Sequence, residues 1–208
     1  MRLSQKRVFG LLLLIAVGFQ AFSQEQRART PLPRAVANGQ ARVSIHGTGG
    51  SSGDSIKIDI AKGPKAGNEP LEVSVPPGTV LTNGNAAGQD MVIAGVTGLA
   101  TSEDTYTPMN YIRVEGSQPV TYVLNAFCMN FEKDNPSEND TFTVGEPDPA
   151  LACILKNSRK LSVPARQAAI WIYTDNVSYE HMNQKFQVSQ EEYTQGQQVV
   201  EGCRSNGT

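Results

Sequence analysis

Short apolar runs that alternate with polar residues fill the chain between residues 41 and 130, and they constrain the fold more than any other feature. Alternation with a period of two places apolar side chains on one face of a β-strand and polar side chains on the other. Clusters of Gly, Pro and Asn separate the runs, as tight turns require. The runs are Val43–Ile45, Ile56–Ile60, Leu71–Val75, Met91–Ile93, Tyr111–Val114 and Val120–Leu124. They predict a mainly β fold, an antiparallel β-sandwich of the immunoglobulin-like class over residues 41–147.

The hydrophobic period changes to that of a helix after residue 147. Three helix starts are marked by capping residues. They are Asp148 with Pro149, Ser162, and Ser189 with Glu192. These signals predict a small C-terminal helical cap over residues 148–204, followed by a tail at 205–208. A cap of about 55 residues is too small to form its own core, so we expect it to pack on the sandwich.

The N-terminus has the order of a secretory signal peptide. Three basic residues precede an apolar run from Val8 to Phe19, and Ala21-Phe22-Ser23 supplies the small residues of a cleavage site. The run is shorter than the about 20 residues that a membrane-spanning helix needs, which disfavours an uncleaved anchor. We therefore predict a signal peptide at residues 1–23, cleavage after Ser23, and a secreted, extracellular or periplasmic location.

The segment that follows the signal, residues 24–40, is polar and punctuated by prolines. This composition predicts a flexible lead rather than a packed element, with an edge strand against the domain as the alternative. The rest of the chain has no second apolar stretch of membrane-spanning length. The formal net charge of −2 argues against nucleic acid, which selects basic surfaces. An extracellular protein or glycan of unknown identity is the expected partner.

Three cysteines in an exported chain leave at least one without a disulfide partner. Cys153 and Cys203 fall on the first and last predicted helices of the cap, so a disulfide between them would hold the last helix in place. Cys128 falls at the end of a predicted strand. A buried cysteine at such a place commonly acts as a small apolar side chain.

Residues that could support catalysis or bind a metal are few. The chain has two histidines, far apart in sequence, which offers little for a zinc site or a Ser-His-Asp triad. The glycine-rich run at residues 47–55 precedes a predicted strand and is interpreted as a hairpin turn. An acidic loop gathers four carboxylates that could bind calcium, or that could simply be solvated. These carboxylates belong to Glu132, Asp134, Glu138 and Asp140. No cofactor is predicted.

Two short motifs resemble those of bacterial surface thioester domains. They are Phe127-Cys128-Met129-Asn130 and Arg166-Gln167-Ala168-Ala169-Ile170-Trp171. That family of adhesin modules carries an aromatic-Cys segment and a Thr-Gln-x-Ala-aliphatic-Trp segment, and it joins the Cys sulfur to the Gln carbonyl. The resemblance implies that Cys128 and Gln167 form the reactive pair. The chain departs from the family in two ways: Arg166 replaces the threonine, and Cys and Gln lie close together in sequence.

The sequence therefore supports three hypotheses about function. The first is a non-catalytic, secreted or cell-surface binding or structural module. The second is a covalent, thioester-type adhesin domain that uses Cys128 and Gln167. The third is an extracellular hydrolase, for which the sequence contains no recognisable motif.

Overall fold

The computed structural model describes residues 29–205. The predicted signal peptide, the first residues of the predicted lead and the last three residues of the tail lie outside this range. The fold is mainly β, with 36% strand and 28% helix, and it contains two sheets followed by C-terminal helices. The prediction of a mainly β fold with helices at its C-terminal end is confirmed. Within residues 29–205, every helix is too short or too polar to cross a membrane.

Ten strands form the two sheets within residues 29–205. In chain order they are β1 (Thr30–Pro31), β2 (Ala41–Gly47), β3 (Ser52–Lys62), β4 (Leu71–Ser74), β5 (Thr79–Asn83), β6 (Met91–Ala100), β7 (Tyr106–Pro108), β8 (Ile112–Val114), β9 (Val120–Cys128) and β10 (Phe142–Pro147). The larger sheet has the order β10-β5-β6-β9-β3-β2, and β7 pairs with β6. All its pairings are antiparallel. The glycine-rich run joins β2 to β3, which confirms the hairpin prediction.

The larger sheet bends until its two edges meet. His46 of β2 forms an isolated bridge with Thr141, just before β10, so the sheet is nearly barrel-like. Side chains from the alternating runs fill its interior. Ile56, Ile58 and Leu124 are fully buried there. The period-two pattern thus supplies the apolar face that the curved sheet encloses.

The smaller sheet has the order β1-β4-β8, with β1 parallel to β4 and β4 antiparallel to β8. Tyr122, on β9 of the larger sheet, links the two sheets. Its hydroxyl donates to the carbonyl oxygen of Arg113 at 2.9 Å and accepts from the Arg113 amide at 3.0 Å. These two hydrogen bonds satisfy backbone groups of β8 that the small sheet leaves unpaired.

In the described part of the chain, five helices complete the fold. They are α1 (Leu32–Ala37), α2 (Pro149–Asn157), α3 (Val163–Thr174), α4 (Tyr179–Lys185) and α5 (Gln190–Ser205). The three predicted helix starts are confirmed: Asp148 caps α2, Ser162 caps α3, and Ser189 bonds reciprocally with Glu192 at the start of α5. The short helix α4 was not predicted, because only Met182 among its residues is buried and its sequence has no clear apolar face.

The described part of the predicted flexible lead is ordered. Thr30 and Pro31 form β1 at the edge of the small sheet, and α1 follows directly. Leu32 and Ala35 are fully buried. From Thr30 onward the prediction of a flexible segment is therefore wrong, and the edge-strand alternative describes the structure. Two apolar side chains and a strand pairing outweigh the polar, proline-rich composition.

Gly78 lets helix α2 approach the larger sheet. Its φ of +89° lies in the region that favours glycine, and a Cβ there would lie 2.7 Å from the Asp148 carbonyl oxygen and 2.9 Å from the Ala152 Cβ. We expect Gly78→Ala to lower the free energy of unfolding by about 2–4 kcal/mol, combining backbone strain with steric overlap. Urea denaturation measures this. Gly67→Ala, where no atom lies within 4 Å, is the matched control and should be nearly neutral. Equal effects of the two substitutions would contradict the prediction.

Candidate functional site

Cys128 is the last residue of β9 and lies in the core with no exposed surface. It is the one free cysteine among residues 29–205. Burial raises the pKa of its thiol to about 12, because a thiolate would lose its hydration there. An unmodified Cys128 is therefore a neutral thiol at physiological pH, and the fold shields its sulfur from bulk water.

Gln167 contacts Cys128 directly. It lies on α3, whose start is set by Ser162 and by a proline in the first turn. Its Nε2 donates to the carbonyl oxygen of Cys128 at 2.8 Å, and its Oε1 accepts from the Cys128 amide at 3.2 Å. Like Cys128, Gln167 is fully buried. The structure thus brings together the two residues that the motif resemblance singles out.

A second contact between β9 and α3 lies beside the first. The guanidinium of Arg166 stacks on the ring of Phe127, with 4.6 Å between the Arg166 Cζ and the ring centroid. Burial lowers the pKa of Arg166, and the charge of Arg159 lowers it further. Arg166 occupies the position where thioester domains carry threonine. It therefore puts a partly buried cation on the ring of Phe127, the residue before Cys128.

Three aromatic rings pack on the outer side of this pair. Trp171 lies one helical turn beyond Gln167, so the two side chains share a face of α3. Its ring meets those of Phe131 and Phe186 edge to face, at centroid distances of 5.1 and 5.0 Å. The three rings line a pocket of about 270 Å³, which we call the Trp171 pocket. Ser51, whose carbonyl accepts a hydrogen bond from the Cys128 amide at 3.0 Å, lines it too.

Charged residues of the acidic loop form the rim of the Trp171 pocket. Glu132 is exposed and pairs with Lys185 and, at 2.9 Å, with Nε2 of His181. These contacts, first the hydrogen bond from Lys185, lower the pKa of Glu132. Lys185 also stands over the ring of Phe131, with its Nζ 5.4 Å from the centroid. At the rim, the ammonium group of Lys185 therefore already pairs with the carboxylate of Glu132 and stands over the ring of Phe131.

The four carboxylates suggested for calcium do not converge. Glu132 faces Lys185, whereas Asp140 turns inward and accepts hydrogen bonds from the Ser137 amide and from the side chains of Asn83 and Asn85. The bond from Ser137 is the main cause of the lowered pKa of Asp140. Asp134 and Glu138 line different pockets. Across residues 29–205, no group of three or more His, Cys, Asp or Glu side chains is placed to hold a metal ion.

Cys153 of α2 and Cys203 of α5 form a disulfide, with 5.8 Å between their Cα atoms. This is the pair that the sequence predicts. The bond fastens the last helix to the first helix of the cap. Since α5 packs on α3, the disulfide indirectly supports the helix that carries Gln167.

Sequence reasoning missed most of the Trp171 pocket. The sequence does not single out Phe131, Phe186 or Lys185, and Trp171 enters only as the last residue of the motif that contains Gln167. Its spacing of four residues from Gln167 was a usable signal, because residues four apart share a helix face. No comparable signal links Phe131 to Phe186, which lie on different elements.

The chain matches no protein-family model, no curated protein and no solved structure.

Proposed function

We propose that this protein is a secreted or cell-surface, non-catalytic binding module of the β-sandwich class that attaches to its partner through a thioester between Cys128 and Gln167. One observation carries the proposal: the buried Gln167 amide lies on the backbone of Cys128, hydrogen-bonded at both of its polar atoms. Export rests on the signal sequence of the first 23 residues. The partner is an extracellular protein or glycan that presents a primary amine.

Thioester formation balances without an added reactant. The Cys128 sulfur attacks the side-chain carbonyl carbon of Gln167, and a carbon–sulfur bond forms as the carbon–nitrogen bond breaks. The thiol proton goes to the amide nitrogen, which leaves as ammonia. A partner's amine later attacks the same carbon, forming an amide with residue 167 and returning the sulfur to a thiol.

Burial would protect the proposed thioester from hydrolysis. A thioester reacts with water as well as with amines, so it persists only where water is excluded. Cys128 and Gln167 are both fully buried. Two hydrogen bonds hold the Gln167 amide on the backbone of Cys128, which reduces the entropy cost of bringing the amide carbon to the sulfur of the same residue.

A non-covalent binding or structural module is the second candidate. It is favoured by the same two hydrogen bonds, because a buried glutamine whose amide atoms are both partnered needs no further role. In that case Gln167 only fastens α3 to the end of β9, and the chain retains the mass of its unmodified sequence.

Intact-mass measurement separates the two candidates. We expect the purified protein to be lighter by one ammonia than the sequence that follows its measured N-terminus. Methylamine then opens the thioester and leaves the chain heavier than the unmodified sequence by one methylene group. Mapping should place the methylamide on Gln167 and a free thiol on Cys128.

The non-covalent candidate predicts a different mass. A chain that has the full mass of its sequence, and does not change with methylamine, would leave only the non-covalent module. Thiol reagents on the folded protein do not replace this measurement, because they label Cys128 in neither case: a buried neutral thiol is unreactive, and a thioester contains no thiol.

A further inference from the structure

Arg166 is a partly buried cation whose guanidinium has no acceptor for its N–H groups among the described residues. Of its nitrogens only Nε is shut off from solvent, so the terminal nitrogens are the ones that a ligand can reach. A guanidinium presents its donors in a planar fork, and where it has left bulk water it normally meets a carboxylate, a phosphate or a carbonyl group. The fork of Arg166 is therefore a set of donors that the fold leaves unused.

The ring of Phe127 fixes the position of this guanidinium. The Arg166 Cζ lies 4.6 Å from the ring centroid. Phe127 is fully buried, and its strand is paired on both sides, with Ser52 of β3 and with Val92 of β6. Stacking on the ring face leaves the edge of the guanidinium, where the donors lie, free to meet an oxyanion. A ligand would thus find a preformed fork, which lowers the cost of ordering the side chain on binding.

The turn between α2 and α3 adds positive charge beside Arg166. Arg159 and Lys160 are exposed in this turn, which is held by a hydrogen bond from the Leu161 amide to the Ser158 carbonyl oxygen at 2.9 Å. Within residues 29–205 neither of them forms an ion pair. After burial, the charge of Arg159 is the second cause of the lowered pKa of Arg166. We call these three residues the Arg166 cluster; their mutual repulsion favours a bound anion.

The carboxylate of Glu192 lies at the start of α3, but other groups occupy it. Its Oε1 accepts from the Ser162 hydroxyl at 2.6 Å, and its Oε2 accepts from the amide and the hydroxyl of Ser189, both at 2.9 Å. These hydrogen bonds, first the one from Ser162, lower the pKa of Glu192. It forms no ion pair with Arg166. The Arg166 cluster is thus a local excess of positive charge on a chain whose formal net charge is −2.

We propose that the Arg166 cluster binds a phosphate dianion, free or as a phosphate monoester, whose oxygens accept from the terminal nitrogens of Arg166 while Arg159 supplies a second positive charge. Phosphate oxygens match the fork of an arginine, and two negative charges suit two guanidinium groups better than the single charge of a carboxylate. The binding requires neither a thioester nor an amine. It therefore goes beyond the proposed function.

Isothermal titration calorimetry of the full chain with methyl phosphate tests the proposal. The titration is run at about pH 8, where the ester is a dianion, and at an ionic strength fixed with sodium chloride. Methyl sulfate, which has the same shape and a single charge, is the matched control ligand. We expect saturable binding of methyl phosphate and binding of methyl sulfate that is at least about threefold weaker. Inorganic phosphate is the second probe, and the tighter of the two phosphates identifies the ligand as the free ion or as an ester.

Substitutions assign the binding to named residues. Arg166→Gln should weaken methyl phosphate binding at least about tenfold, the loss expected for hydrogen bonds to a charged group. Arg159→Gln should weaken it about threefold, because an exposed charge contributes less. Arg166→Lys keeps the charge but removes the fork, so most of the affinity should be lost there too. Arg42→Gln, at an exposed position of β2, removes the same charge outside the cluster and should leave binding unchanged.

Three results would overturn the assignment. They are absence of saturation with both phosphate probes, equal binding of methyl phosphate and methyl sulfate, and equal affinities of Arg166→Gln and Arg42→Gln. Urea denaturation without phosphate shows whether each variant folds, and the comparison of the two methyl esters on the wild-type chain needs no variant. Failure of the thioester appears separately, as a full-mass wild-type chain, and leaves the titration decisive.

Discussion

Replacing Cys128 by serine is expected to abolish covalent capture of amines and to return the chain to the full mass of its sequence. Under the proposed function, the sulfur is the only atom that can displace ammonia from Gln167. A serine hydroxyl is a much weaker nucleophile and has no activating base beside it. A biotinylated primary amine, followed by denaturing electrophoresis, should label wild-type protein and leave the variant unlabelled.

Gln167 should be equally necessary. Gln167→Met keeps the side-chain volume but removes the carbonyl that the sulfur attacks, so labelling should be lost completely. The same change removes the two hydrogen bonds to Cys128 and should lower the free energy of unfolding by about 1–3 kcal/mol. Gln197→Met, on an exposed position of α5, is the matched control and should keep full labelling.

Measuring the free energy of unfolding of these variants distinguishes the loss of labelling from a loss of folding. Cys128→Ser buries a hydroxyl in an apolar site and should cost about 1–3 kcal/mol. Cys128→Ala avoids that hydroxyl and should also lose labelling. If Cys128→Ala is labelled as strongly as wild-type protein, another residue captures the amine. The thioester proposal would then be wrong.

Removing the disulfide is expected to produce the largest loss of stability. The bond closes a loop with a sequence separation of 50 residues. Loop-closure entropy for that length predicts a loss of about 4 kcal/mol in the Cys153→Ala/Cys203→Ala double variant. For a chain of this size, such a loss lowers the melting temperature by roughly 10 °C.

Removing the disulfide should also loosen the structure around the proposed thioester. A Cβ at Gly196 of α5 would lie 3.0 Å from the backbone of Ala165 and Ala169, so α5 and α3 are in close contact there. When the end of α5 is released, α3 loses part of its support, and hydrogen exchange around Gln167 should accelerate. Reduction of wild-type protein by a phosphine, which does not attack thioesters, should reproduce the result. A melting temperature unaffected by both treatments would contradict this prediction.

Local interactions explain which predictions about the fold succeed. The caps at Asp148, Ser162 and Ser189 act over three or four residues, so the sequence alone identifies the starts of α2, α3 and α5. Alternating runs likewise identify strands, because the period of two depends only on neighbouring residues. The ordered lead escapes prediction because packing, rather than its own sequence, holds it in place. The helix α4 escapes prediction because only Met182 of its residues is buried, although Ser178 caps its start.

The same distinction between local and long-range interactions applies to the candidate site. Residue types and short motifs in the sequence single out Cys128 and Gln167, as well as the pairing of Cys153 with Cys203. Only the tertiary structure decides that the Gln167 amide lies on Cys128, that Asp140 turns inward away from Glu132, and that Phe131, Trp171 and Phe186 enclose a pocket. The physical reason is distance along the chain. Contacts between residues far apart in sequence, such as Gln167 with Cys128 and Asn83 with Asp140, depend on strand order and helix docking. These are set by the burial of the whole apolar surface rather than by any local pattern.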